Sequence, residues 1–171
     1  MDEKTCIELL ADCYAKRDVW VISEALKAQF REEVEVLYKS LPVDVKWISD
    51  EVCPQPFHSA QQMREDYLKR GQLLMLSEDS AELGRDLYSK HRAVHDWYGH
   101  ICGNNPFGGR GESQSFLVHC HQYTPEVLPI VFSDVVLGNA YWQHHKKTWG
   151  GERWVFAPDL IAHVQQTFGN Y

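Results

Sequence analysis

Apolar positions along the chain change their period from segment to segment, and those changes divide it into elements. Residues 5–17 place Ile7, Leu10 and Tyr14 on one helical face. Over residues 22–39, Ala25, Leu26, Phe30, Val34 and Leu37 keep a 3.6-residue period behind a capping Ser23, and Leu41-Pro42 stops the run. Residues 43–49, VDVKWIS, alternate instead, with Val43, Val45 and Trp47 set against Asp44 and Lys46, which predicts a short strand. Pro54-Gln55-Pro56 reads as loop. Ser59, with Gln62 three residues on, opens a helix that Gly71 closes. The apolar run LLMLS, residues 73–77, predicts a second strand able to pair with the first. A helix from Glu82 or Arg85 to Ile101 follows, then a glycine-rich loop over residues 104–112 and a helix over residues 112–123. Thr124-Pro125-Glu126 signals the start of a helix over residues 125–147 that Trp149-Gly150-Gly151 breaks, and Pro158 opens a last helix to Phe168. The pattern predicts a mainly α fold: a single compact helical domain, residues 1–171, with at most one small two-stranded sheet.

Composition narrows the function. The formal charge of -7, with Lys16-Arg17, Lys69-Arg70 and Lys146-Lys147 as the only adjacent basic pairs, argues against a nucleic-acid surface, which needs a basic stripe. No apolar run approaches a membrane span, and the first residues carry no basic-then-apolar signal. Cys6, Cys13, Cys53, Cys102 and Cys120 are odd in number and show no C-x-x-C spacing, so reduced thiols and a cytoplasmic location are expected. This charge still allows a local basic pocket for an anion, a small-molecule substrate is the partner expected if the chain is an enzyme, and association between copies of the chain stays open.

The unusual feature is histidine. Five of the nine, His91, His95, His100, His119 and His121, fall within 31 residues, and histidine is the commonest protein ligand for transition metals. His91 and His95 are four apart and share a face of a regular helix. His95 and His100 are five apart and point about 140° away from each other on an ideal helix. They converge only where the helix departs from regularity, and Gly99 suggests tightening or termination there. Glu112 and His119, seven apart, share a face two turns long. The plainer alternatives are a buried histidine network, a helix-capping Glu112 and a locally hydrogen-bonded His119. His144-His145 with Lys146-Lys147 reads as dipole complement at a helix end. Trp142, Trp149 and Trp154 read as core, Trp97 and Tyr98 as core or pocket lining, and Arg110 as solvated.

The segment HDWYGH, residues 95–100, resembles the His-Glu-Leu-Leu-Gly-His motif of the aromatic amino-acid hydroxylases, whose two histidines bind a mononuclear non-haem iron. In that family a glutamate on a later helix completes the site. Asp134, within VFSDVVLGNAYW (residues 131–142), stands at the matching place. The resemblance therefore implies His95, His100 and Asp134 as metal ligands, with Fe(II) as the metal. The hydroxylase core is much longer than this chain, so no pterin is expected. A more extended resemblance is to small proteins, many from bacteriophages, that share the order R-A-V-H-D-x-x-G-H, G-E, H, and [ST]-[ED]-x-x-x-G-[QN]. Here these are Arg92–His100, Gly111-Glu112, His119, and Ser133-Asp134 with Gly138-Asn139. That resemblance brings no activity with it.

A 2-His-1-carboxylate site leaves positions open on iron for dioxygen and substrate. The expectation is a mononuclear non-haem iron oxygenase or hydroxylase acting on a small molecule, with Glu112 and His119 as catalytic groups or as ligands of a second metal. The alternatives are a zinc- or manganese-dependent hydrolase, and a non-enzymatic phage accessory or binding protein with a structural histidine network. A G-x-S-x-G elbow, a phosphate-binding loop and an HEXXH motif are all absent.

Overall fold

A computed structural model describes residues 1–49, 52–53 and 55–169. The helices are α1 (Glu3–Lys16), α2 (Glu24–Lys39), α3 (Ala60–Arg70), α4 (Arg85–His95), α5 (Gly109–His119), α6 (Leu128–Val131), α7 (Gly138–His145) and α8 (Ile161–Phe168). The strands are β1 (Asp44–Ile48) and β2 (Gln72–Leu76), and two π-helical stretches cover Asp96–Cys102 and Phe132–Leu137. The fold is thus mainly α with one small sheet, as the periodicity predicts. No helix among the described residues is long and apolar enough to cross a membrane. The chain divides into two compact units, Met1–Val21 with Phe107–Tyr171, and Ile22–Pro106.

In the unit Ile22–Pro106, the sequence's start and stop signals act as read. Ser23 accepts a hydrogen bond from the Leu26 N–H, and Ser59 from the Gln62 N–H, while Gln62 reaches back to accept from the His58 N–H. Gly71 ends α3 in the left-handed region at φ 69°, donating its N–H to the Tyr67 carbonyl. The strands pair in parallel, Asp44 opposite Gln72 through Ile48 opposite Leu76. Parallel neighbours need a crossover, and α3 is that crossover, packed against β2. Leu73 and Met75 turn inward from β2, and α2 and α4 close the layer with Phe30, Val34, Leu87 and Val94. Lys90 of α4 reaches Glu35 of α2 at 2.5 Å. Of the predicted Pro54-Gln55-Pro56 loop, Pro54 lies outside the described residues, while Gln55 and Pro56 belong to neither helix nor strand.

In the other unit, α1 starts two residues earlier than the apolar period suggests, because the Asp2 side chain caps it by accepting from the Thr5 N–H. It packs on α7, α8 and the stretch Phe132–Leu137 around Leu10, Phe116, Phe132 and Val164. α5 begins at Gly109, so the end of the predicted glycine loop is its first turn. The predicted helix over residues 125–147 is not continuous. A helix begun at Pro125 would place Pro129 inside it, where proline lacks an N–H and its ring strikes the preceding turn. Residues 124–127 form a turn instead, and α6 starts late enough to hold Pro129 in its first turn. The helix then widens through Phe132–Leu137 and ends at Lys146, which is left-handed at φ 55°. Trp154 is buried, as expected, but Trp142 is 46 % exposed rather than core. Trp149 is half-buried, and the Arg153 guanidinium lies 4.5 Å from its ring centroid.

An alanine at Gly71 meets open space, so its effect is that of the left-handed backbone alone. Gly71→Ala is expected to lower stability by about 1 kcal/mol, a drop in Tm of roughly 2–4 °C by thermal unfolding. An unchanged Tm would show that the helix does not end there in the left-handed form.

Candidate metal centre

The histidine-rich segment is a helix of two pitches. α4 runs regularly to His95, and from Asp96 to Cys102 the hydrogen bonds skip five residues, closing with the Gly103 N–H donating to the Tyr98 carbonyl at 2.9 Å. This departure is a widening, not the tightening that Gly99 suggested, and Gly99 is not among the glycines with positive φ. The distinction decides where the side chains go. A pair five apart diverges on an α-helix, but a turn closed by i to i+5 bonds brings the same pair toward one face. The His95 and His100 rings are accordingly 4.8 Å apart at 87°, with the two Nε2 atoms facing each other at 3.1 Å. His91, the regular i, i+4 partner of His95, packs edge-on against Phe30 instead.

Both rings are buried, His95 at 0 % and His100 at 1 % exposure. The Nδ1 of His100 lies 3.0 Å from the Asn105 carbonyl oxygen. A carbonyl only accepts, so Nδ1 carries the hydrogen. A neutral His100 imidazole then presents the lone pair of Nε2 toward His95. Two imidazole nitrogens each about 2.1 Å from one ion stand about 3.0 Å apart at a right angle and about 3.4 Å apart at the tetrahedral angle. The observed separation falls in that interval, nearer the right angle. Without an ion, the same spacing suits a hydrogen bond from a protonated His95 Nε2.

Chain geometry around the pair is tight. Gly103 leaves no room for a side chain: a Cβ there would lie 2.6 Å from the Gly99 carbonyl oxygen and 2.9 Å from that of Tyr98. Asn104 turns left-handed at φ 56°, a conformation asparagine tolerates. That turn brings Asn105 back, its N–H to the Gly99 carbonyl and its own carbonyl to His100. From α3, Arg64 donates to the His100 carbonyl at 2.9 Å, and Tyr67 packs edge-on against Trp97 at 5.1 Å. Tyr98 is half-buried and its hydroxyl lies 3.4 Å from that of Ser40.

The other candidates belong to the unit containing α5 to α8. Glu112 sits in the first turn of α5, buried at 5 % exposure, with its N–H bonded to the Gly108 carbonyl. The positive end of the helix favours its charge. His119 is fully buried at the far end of α5, its Nδ1 2.8 Å from Gln122 Oε1. His121 is exposed. Asp134 lies half-buried in the widened stretch Phe132–Leu137, and its charge acts on Tyr14 of α1. Arg110 is exposed and 3.4 Å from Glu3. Burial pushes the Cys102 and Cys120 thiols up, so neither is an activated nucleophile.

Sequence reasoning missed Arg64, Asn105 and Gln122. Asn105 and Gln122 lie within five residues of the histidines they hold, and their amide or carbonyl groups are the signal that was available. Arg64 carries no local signal, because the fold alone brings it to His100. Comparison with protein-family models, curated proteins and solved structures gives no match to this chain.

Burial pushes the Tyr14 phenol up to about 12, and the Asp134 carboxylate adds to the rise. A group whose pKa is raised on folding favours the folded state below its ordinary value and loses that contribution above it. Tyr14 should therefore ionise late in an alkaline titration followed by phenolate absorbance, with its share of stability lost as pH climbs from about 10 toward 12. Asp134→Asn should bring that ionisation to lower pH; no change would separate the two groups.

Proposed function

We propose that this protein is a metal-dependent enzyme in which His95, His100 and Glu112 hold one divalent ion, and that the ion is Fe(II) serving an oxygenase or hydroxylase reaction on a small molecule. His95 and His100 are buried with their Nε2 atoms facing each other, and Glu112, a buried carboxylate, is assigned as the third ligand. The observation that carries the reading is the convergence of two buried Nε2 atoms at 3.1 Å, with the hydrogen of His100 held on the opposite nitrogen by a backbone carbonyl. Ligand histidines characteristically have their second nitrogen fixed in this way.

Two imidazoles and one carboxylate form the donor set of non-haem Fe(II) enzymes, and bound iron supplies redox chemistry with positions open to dioxygen and substrate. Glu112 takes the carboxylate role in place of Asp134, the residue the hydroxylase resemblance implies. The protein's own part is to keep both imidazoles neutral and oriented and to withhold water from the site. His119, held by Gln122 through Nδ1, is buried two helical turns from Glu112 on the same helix. The likeness of residues 95–100 to the hydroxylase motif favours iron over zinc.

Protein purified without a chelating tag is expected to contain close to one iron per chain by elemental analysis. His95→Ala, His100→Ala and Glu112→Gln should each weaken Fe(II) binding at least tenfold, while Asp134→Asn should leave it within about threefold. Retention of iron by Glu112→Gln with loss in Asp134→Asn would transfer the ligand role to Asp134. Oxygen uptake with Fe(II) and a reductant tests the chemistry. Stoichiometric zinc would favour a hydrolase, and absence of any metal with unchanged stability in chelator would remove the enzymatic reading altogether.

A further inference from the structure

We propose that Arg64 is a positioning residue for the histidine pair: its guanidinium latches the widened turn open by binding the backbone carbonyl of His100. As a statement about metal binding, this rests on the function proposed above; as a statement about the turn, it stands alone.

The last carbonyls of any helix lack partners within it. In this turn the Gly103 N–H goes to the Tyr98 carbonyl at 2.9 Å and the Asn105 N–H to the Gly99 carbonyl at 3.3 Å. Continued i to i+5 bonding would have given the Asn105 N–H to His100, so its use by Gly99 leaves the His100 carbonyl needing another donor. Arg64 supplies it at 2.9 Å. The choice is unusual for a half-buried guanidinium: among the described residues Arg64 makes no ion pair, and its hydrogen bond goes to this one carbonyl. Hydrogen bonds from a charged donor are among the stronger ones in proteins.

The neighbourhood gives the contact direction. Arg64 and Tyr67 are three apart on α3 and so share a face. Tyr67 packs against Trp97, at the start of the turn, while Arg64 grips its end. His100 is thus fixed on both sides, its ring by the Asn105 carbonyl and its backbone by Arg64. Without the guanidinium, the carbonyl of His100 competes for the Asn105 N–H, and the turn is free to relax toward regular α-helical pitch. On a regular α-helix the side chains of His95 and His100 would again point about 140° apart. Arg64 touches no reacting atom in this account; it acts through the geometry of a ligand.

The test compares Arg64→Met and Arg64→Lys with the wild-type protein by cobalt(II) titration and by hydrogen exchange of the metal-free protein. Arg64→Met is expected to weaken cobalt(II) about ten- to a hundredfold, the usual effect of losing a group that orients a ligand, and to alter the cobalt absorption bands. Arg64→Lys, which keeps a charged donor, should restore most of the affinity. In the metal-free protein the Gly103 amide should exchange at least tenfold faster in Arg64→Met, with amides of α2 unaffected. Unchanged cobalt affinity and bands together with unchanged Gly103 exchange would overturn the proposal. If the wild-type protein takes up no cobalt, the metal reading fails and Gly103 exchange decides the latch by itself: faster exchange upholds it, and an unchanged rate overturns it. Should Arg64→Met not fold, Arg64→Gln carries the same comparison with a polar side chain retained.

Discussion

The hydrogen bond from the Gly103 N–H to the Tyr98 carbonyl is the constraint on which the candidate centre depends. It commits one turn of the backbone to five-residue spacing. A turn so widened is less favourable than regular helix, and such turns persist mainly where a function or strong packing holds them. Here the return is specific: two imidazoles that regular pitch would face apart are set with their Nε2 atoms 3.1 Å from each other. Burial makes the arrangement consequential, because polar groups removed from water must find partners inside the protein.

The turn is held at its exit by steric and hydrogen-bonding demands that reinforce one another. Gly103 must lack a side chain because three neighbouring atoms crowd the place a Cβ would take. Asn104 accepts the left-handed conformation that reverses the chain, and the reversal delivers the Asn105 carbonyl to the His100 ring. A single local sequence, Gly-Asn-Asn, thereby ends the helix and selects the tautomer of a candidate ligand. The residues after it, Pro106 and Phe107, lead toward α5, whose first turn carries the buried Glu112.

A second widened stretch, Phe132–Leu137, holds Asp134, and the Gly138 N–H closes it on the Ser133 carbonyl. The Ser133 hydroxyl accepts from the Val155 N–H, which ties this stretch to the chain leading into α8. Tyr14 joins the same neighbourhood, with its hydroxyl bonded to the Arg153 carbonyl and its ring packed on Tyr141 and Trp149. The Arg153 Nε donates in turn to the Tyr14 carbonyl. In both units, then, candidate polar residues stand on helix that departs from regular pitch, with well-packed apolar side chains beneath.

Much of the fold was legible in the chain itself. Ser23, Ser59 and Gly71 mark helix ends through bonds made within a few residues, and the periods of two and 3.6 report which side of each element meets the core. The choice of His95 and His100 was legible as residue type and order. Pitch was not, because the energy of one widened turn depends on what surrounds it. The alternation in VDVKWIS and the run LLMLS gave two strands, but their parallel register came from α3 as a crossover. Pro129 was present in the sequence, yet its effect on where α6 begins outweighed the nearer start signal at Thr124-Pro125. Local sequence marked many of the helix ends and the side chains that are candidates for chemistry, since those preferences act over three or four residues. Tertiary structure alone decided which donor meets the His100 carbonyl, because Arg64, 36 residues before it, reaches it only in the folded chain.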